Sequence, residues 1–295
     1  MKKIFTSYIP AILISSLFII PIISFSDFFI GIVSGKNYCF YIFMTILIVY
    51  NILLYIFNKS SKKISLNKID FVLLSLIIWN LFTASISQDS YVNEKTSELL
   101  LLTIFYFIVK GQLTYSENQI SLLIISTVFL LTIAIAEVII GILQLYYIIP
   151  SNNPYFKITG TFHNPAPFAL FLTIVYAYAL AAYSFNVVPN KVIRYLALVC
   201  CMLIMSVIPF TLNRTSWIGI FASTLLIGLY KLSQSKLILK LNIWKKIYLV
   251  TMIILLVGIS VPYLYNFKKG SSDGRILVWK VSGKIIKEHP LFGIG

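Results

Sequence analysis

Acidic residues are scarce: Asp and Glu number 9 among 295 residues, and charged residues of both signs make up only 11%, against about 25% in an ordinary soluble domain. So few charges cannot cover the surface of a soluble protein of this size, which excludes a soluble enzyme. Cysteine is nearly absent, with 3 residues. Cys39, Cys200 and Cys201 all lie in apolar runs, and neighbours such as Cys200 and Cys201 rarely meet the geometry of a bridge. A secreted disulfide scaffold is thereby excluded, and the thiols read as free and buried. There are 2 histidines, and no Cys/His group has metal-ligand spacing, so neither a metal nor another cofactor is expected. Repeats and low-complexity linkers are missing as well.

Apolar residues are abundant. They make up 59% of the chain, against roughly 45–50% in soluble domains, which also excludes a disordered chain. Several runs reach the ~18 residues of a bilayer-crossing helix. About nine candidate spans cover 5–25, 38–57, 69–86, 97–113, 120–149, 165–185, 192–210, 216–232 and 246–265. All are expected to be helical, because an open strand cannot satisfy its backbone in lipid. The fourth is the weakest, with a short apolar core and Lys110 left to snorkel. The fold class is therefore all-α, a polytopic membrane bundle. The chain divides into a membrane domain, 1–265, and the start of an external segment, 266–295.

The net charge of +15 would suggest nucleic acid in a soluble chain. Here loop-by-loop counting explains it, and no nucleic-acid partner is expected. With the N-terminus inside, the cytoplasmic segments hold Lys2, Lys3, Lys59, Lys62, Lys63, Lys68, Lys110, Lys191, Arg194, Lys231, Lys236, Lys240, Lys245 and Lys246, while the short outer loops hold Lys36, Lys95, Lys157 and Arg214. That imbalance orients the protein N-in. The cations after Tyr265 fall outside, in a longer segment that translocates regardless of charge. Lys2-Lys3, an apolar stretch and Ser24-Phe25-Ser26 resemble a signal peptide with its cleavage site; a retained signal anchor fits better with the later spans.

Three outward-facing places carry chemistry. In the first, Lys157 to Pro165, Asn164 is a good N-cap and Pro165 a good first helical residue. The polar Thr159–His163 stretch goes beyond what a turn requires, and His163 reads either as an exposed loop residue or as a catalyst. In the second, Asn213-Arg214-Thr215-Ser216-Trp217 places a guanidinium at a helix N-terminus, where an anion is favoured. Arg214 is either an interfacial anchor or a grip on phosphate oxygens. In the third, Ser272 or Asp273 is expected to cap a helix running to Glu288, with Arg275 in its first turn. Lys280, Lys284 and Lys287 form one face and Ile276, Trp279 and Ile286 part of an apolar side, as in a helix lying on a membrane surface. Within the fifth span, Glu137 and Gln144 share a face. Glu137 is either a functional intramembrane acid or a neutral group bonded to another helix.

In order along the chain stand Gln144, Gly160-Thr161-Phe162-His163-Asn164-Pro165, Asn213-Arg214-Thr215-Ser216-Trp217, Gly274-Arg275-Ile276-Leu277-Val278-Trp279 and His289-Pro290-Leu291-Phe292-Gly293-Ile294-Gly295. This series resembles the O-antigen ligase and polymerase superfamily, most clearly from Glu137 onward. The resemblance implies a helical inner-membrane glycosyltransferase of GT-C type, working without metal. It would move a glycan from an undecaprenyl-diphosphate carrier to an acceptor sugar at the periplasmic face. The acceptor would be lipid A–core for a ligase or another lipid-linked unit for a polymerase. Arg214 and Arg275 would act on the diphosphate as catalytic residues, and Glu137, Gln144, Lys157, His163 and Asn164 would lie along the substrate site. Membrane lipids are the other expected partners. The family pattern carries a further histidine and closing helices after the stretch that ends at Gly295, so a general base is expected beyond this chain. The competing readings are a flippase or transporter of lipid-linked sugars and a nonenzymatic membrane fragment.

Overall fold

The computed structural model describes residues 8–24, 31–58, 65–86, 90–114, 116–234 and 269–290. These residues form helices and connecting turns, with no strand among them. The helices are α1 (Ile9–Ser16), continued by a 3-10 segment Leu17–Ile22, then α2 (Ile32–Asn58), α3 (Lys68–Ile86), α4 (Ser90–Leu113), α5 (Ser116–Leu145), α6 (Pro165–Ser184), α7 (Lys191–Val207), α8 (Arg214–Gln234) and α9 (Lys269–Glu288). Six of them, α2 to α7, are long and apolar enough to cross a membrane. The protein is a polytopic all-α membrane protein. Of the other expected spans, the first is the shorter apolar piece Ile9–Ile22, with Pro21 in its 3-10 segment. The eighth forms as α8, and the ninth, 246–265, lies outside the described residues, as does the boundary near 265.

The chain divides into two compact units. One comprises Met1–Ile64 with Phe105–Leu229, the other Ser65–Ile104 with Tyr230–Gly295. In the first unit the core lies among α5, α6 and α7. Leu131, Ala134 and Val138 from α5 meet Phe168, Ala169, Leu172, Val175 and Ala179 from α6 and Ala197, Cys200, Ile204 and Val207 from α7. Ala134, Ala169, Ala179, Ala197 and Cys200 are small, and small residues let membrane helices approach closely. Tyr176 Oη reaches Thr224 Oγ1 of α8 at 2.7 Å, which satisfies a phenol that would be costly to leave unpaired in an apolar layer. Cys39, Cys200 and Cys201 are free thiols.

In the second unit α3 starts from a reciprocal cap. Asp70 N donates to Asn67 Oδ1 at 3.0 Å, and Asn67 N donates back to Asp70 Oδ2, which pairs two N–H groups that a helix start leaves open. Large apolar side chains along α3, among them Phe71, Ile78 and Phe82, are exposed, the pattern of a surface made for lipid.

Two helix ends steer the chain into its connections. The sequence runs span five on to 149, yet α5 ends at Leu145. Tyr147 takes a left-handed conformation, φ 59°; its N–H donates to Gln144 O at 3.0 Å, and Ile148 N–H to Leu143 O at 2.9 Å. This is a Schellman stop with Tyr where glycine is usual. α7 passes through the 3-10 turn Ile208–Thr211 and the left-handed Leu212 (φ 51°) into the cap of α8. Trp217 Nε1 donates to Ile208 O at 3.2 Å, closing one of the carbonyls that a helix end leaves open.

Candidate functional site

The connection between α5 and α6 is not an exposed turn throughout. Ile158, Thr159, Gly160 and Thr161 are buried. They lie along α5 from Gln144 back to Glu137, a retreat of about 10 Å at 1.5 Å per helical residue. The segment therefore re-enters the bundle before α6 begins.

Irregular backbone inside a membrane bundle must have its polar groups met by protein, and two side chains of α5 meet them. Gln144 Oε1 accepts from Thr159 N at 2.9 Å and Gly160 N at 2.8 Å, and its Nε2 donates to Gly160 O at 2.8 Å. One amide thus replaces the hydrogen bonds that a helix would have supplied. Glu137, fully buried, accepts at Oε2 from Thr161 N at 3.1 Å and at Oε1 from Thr161 Oγ1. The partner of this intramembrane acid is therefore the re-entrant segment rather than another helix. Farther out, Asn152 Nδ2 donates to Gly160 O at 3.2 Å and Phe162 O at 3.3 Å, and Ser151 Oγ lies 3.1 Å from Thr159 Oγ1.

Glycines make room for this approach. Gly160 has φ +58°, and a Cβ there would collide with the Phe168 ring and with Glu137 Oε2. At Gly141 of α5 an added Cβ would stand 2.9 Å from Phe168 Cζ and 3.1 Å from Ile158 Cδ1. Phe168 is itself fully buried and fills the space that the two glycines leave.

The segment ends at the start of α6. Asn164 Oδ1 accepts from Ala166 N at 2.9 Å, and Pro165 occupies the first helical position. The start of α8 stands beside it. Asn213 Oδ1 accepts from Thr215 N at 3.1 Å and Ser216 N at 3.4 Å, while its Nδ2 donates to Ala166 O at 3.3 Å. Arg214, half-buried, is the first residue of α8. The positive ends of two helix dipoles and a guanidinium accordingly share one region.

The expected site residues separate into groups. Glu137, Gln144 and Asn164 are joined through the re-entrant segment, with Arg214 one residue from the link between α6 and α8. His163 is exposed. Lys157 is also exposed, with Nζ 6.0 Å from the Tyr147 ring centroid. Arg275 is exposed in α9, in the second unit. α9 begins at Lys269 rather than at a Ser272 or Asp273 cap, so Arg275 stands in its second turn instead of its first, away from the positive end of the helix dipole. Among the described residues no group of three His, Cys, Asp or Glu is placed to hold a metal.

One participant was not expected. Lys36, counted from sequence as a short-loop charge, belongs to α2 and contacts the re-entrant segment. Its Nζ lies 3.3 Å from Thr161 Oγ1 and 3.9 Å from the Phe162 ring centroid, and it donates to Pro21 O. The available signal was a lysine at the mouth of a long apolar run, and charge counting uses that signal only for topology.

Residues 196–295 match the family model described as O-Antigen ligase. The O-antigen ligase match begins within α7 and takes in the Asn213–Trp217 turn, α8 and α9, in agreement with the resemblance read from the motifs. The re-entrant segment and its anchors on α5 and α2 precede the matched region. No curated protein matches the chain, and no solved structure does.

Proposed function

We propose that this protein transfers a glycan from an undecaprenyl-diphosphate carrier to an acceptor sugar at the periplasmic face of the inner membrane, as an O-antigen ligase or polymerase without a metal. The observation that carries the reading is the O-antigen ligase match over 196–295, which includes Arg214 and Arg275. The neighbouring starts of α6 and α8 support it. Helix N-termini and a guanidinium together favour a phosphate-bearing ligand, and the diphosphate of the carrier is such a ligand.

In this reading Arg214 grips diphosphate oxygens and stabilises the charge that grows as the glycosyl–phosphate bond breaks. The resemblance assigns Arg275 to the same task. The acceptor hydroxyl attacks the anomeric carbon, and its proton must pass to a base within hydrogen-bond reach. The lysine-rich side of α9 and its exposed Trp279 and Ile286 suit the surface of an anionic membrane. Lipid A–core, or a second lipid-linked unit, serves as acceptor.

The deciding experiment supplies the full-length protein, in sealed proteoliposomes, with a labelled glycan on undecaprenyl diphosphate and with acceptor. Covalent transfer, followed by mass, supports the reading. Movement of the intact lipid-linked glycan across the bilayer without transfer overturns it in favour of the transporter.

A further inference from the structure

We propose that Lys36 is a positioning residue: its ammonium, with Glu137 on the other side of Thr161, latches the re-entrant segment 158–164 to the bundle and so sets where the start of α6 stands. The latch is a question of proton supply. Thr161 Oγ1 lies within hydrogen-bond reach of two acceptors, Glu137 Oε1 and Pro21 O. A hydroxyl has one proton, so it can serve only one of them at a time. The Lys36 ammonium has three protons and no lone pair. It donates to Pro21 O and approaches Thr161 Oγ1 at 3.3 Å, which frees the Thr161 proton for Glu137.

The remaining face of the ammonium rests on Phe162, 3.9 Å from the ring centroid, where the ring quadrupole favours a cation. A single side chain of α2 therefore contacts the 3-10 segment after α1 and two consecutive residues of the re-entrant segment. Removing it leaves two acceptors, on buried Glu137 and half-buried Pro21, competing for one proton, and an acceptor shielded from water without a donor is expensive. Asn164, the cap of α6, lies two residues past Phe162, and Ala166 beyond it accepts from Asn213 beside Arg214. Slack at Lys36 thus reaches the Arg214 region through a short, bonded path. The consequence for transfer rests on the function proposed above; the latch itself does not.

Hydrogen exchange tests the latch without any substrate. In the full-length protein in nanodiscs, Lys36→Met is expected to speed exchange of the Thr159, Gly160 and Thr161 amides on the order of tenfold, the effect of losing one charge-assisted hydrogen bond. Exchange across α7 stays unchanged. Lys36→Arg, which keeps a cationic donor, is expected to restore most of the protection. Should Lys36→Met fail to accumulate, Thr161→Val removes the shared hydroxyl from the other side and is expected to give the same local rise. Unchanged exchange at 159–161, or a rise equally large in α7, overturns the proposal. With donor and acceptor present, Lys36→Met is expected to raise KM for the donor more than it lowers kcat, with Lys36→Arg partly restoring it. A loosened segment with unaltered kinetics overturns the link to catalysis. A wild-type protein that transfers nothing, while Lys36→Met still loosens 159–161, supports the latch and removes the transferase reading instead.

Discussion

Asn213 donates from Nδ2 to Ala166 O at 3.3 Å while its Oδ1 caps α8, so one side chain both begins α8 and ties it to the first turn of α6. The same position performs two separable tasks, and substitutions can divide them. Asn213→Ala is expected to lower stability by about 1–2 kcal/mol, the sum of a lost cap and a modest hydrogen bond. Asn213→Asp keeps the cap and loses the tie, and so should recover roughly half of that loss. Thermal unfolding in detergent measures both. Equal stability of the alanine and aspartate variants would show that the tie to α6 outweighs the cap.

Gly160 is expected to tolerate nothing larger. Its left-handed conformation costs an L-residue about 1 kcal/mol, and crowding against Phe168 and Glu137 adds about 1–3 kcal/mol. Gly160→Ala should therefore unfold at a clearly lower temperature than wild type, whereas Gly228→Ala in α8, where an added Cβ meets nothing within 4 Å, should be neutral or mildly stabilising. Wild-type melting of Gly160→Ala would mean that the segment does not pack against Phe168.

Gln144 offers a sharper contrast. Gln144→Leu strands the Thr159 and Gly160 N–H groups in a buried place, while Gly160 O keeps Asn152 Nδ2, and each stranded group costs about 1–3 kcal/mol. A loss of more than about 3 kcal/mol, or failure to accumulate, is expected. Gln144→Glu retains the acceptor for Thr159 and Gly160 and should be less damaging. Expression and unfolding of the pair check the order, and a benign leucine would remove Gln144 from its supporting role.

Arg214→Lys keeps the charge but loses the planar fork that suits a bidentate phosphate contact. Its kcat/KM for glycan transfer is expected to fall about tenfold to a hundredfold, matching about 1.5–3 kcal/mol for a charge-assisted contact, with Arg214→Ala lower still. Full transfer by both variants would leave Arg214 as an interfacial anchor.

Orientation can be measured independently of activity. With Cys39, Cys200 and Cys201 replaced, single cysteines at His163 and Lys157, both exposed, should react with an impermeant thiol reagent in cells whose outer membrane is permeabilised. A cysteine at Lys191, at the opposite end of α6 and its turn, should not. The reverse pattern would invert the topology.

Composition and run length determined that this chain is a helical membrane protein, because lipid permits few other ways to satisfy a backbone and such helices are local objects. Asn164, Pro165 and Asn213 were legible as helix starts for the same reason: a cap acts on a neighbour two residues away. The polarity of 159–161 was visible as well, and so was the shared face of Glu137 and Gln144. Their meeting was not, because the residues lie up to 24 positions apart and only the path of the re-entrant segment brings them within a hydrogen bond. Nor could spacing place α9, whose start at Lys269 moved Arg275 away from the helix end. Tertiary structure alone decided the place of Lys36, which is 125 residues from Thr161. A lone lysine at the mouth of an apolar run looks the same whether it snorkels to water or donates to a carbonyl and a hydroxyl from other parts of the bundle. What separates the two is the set of acceptors that folding carries to it.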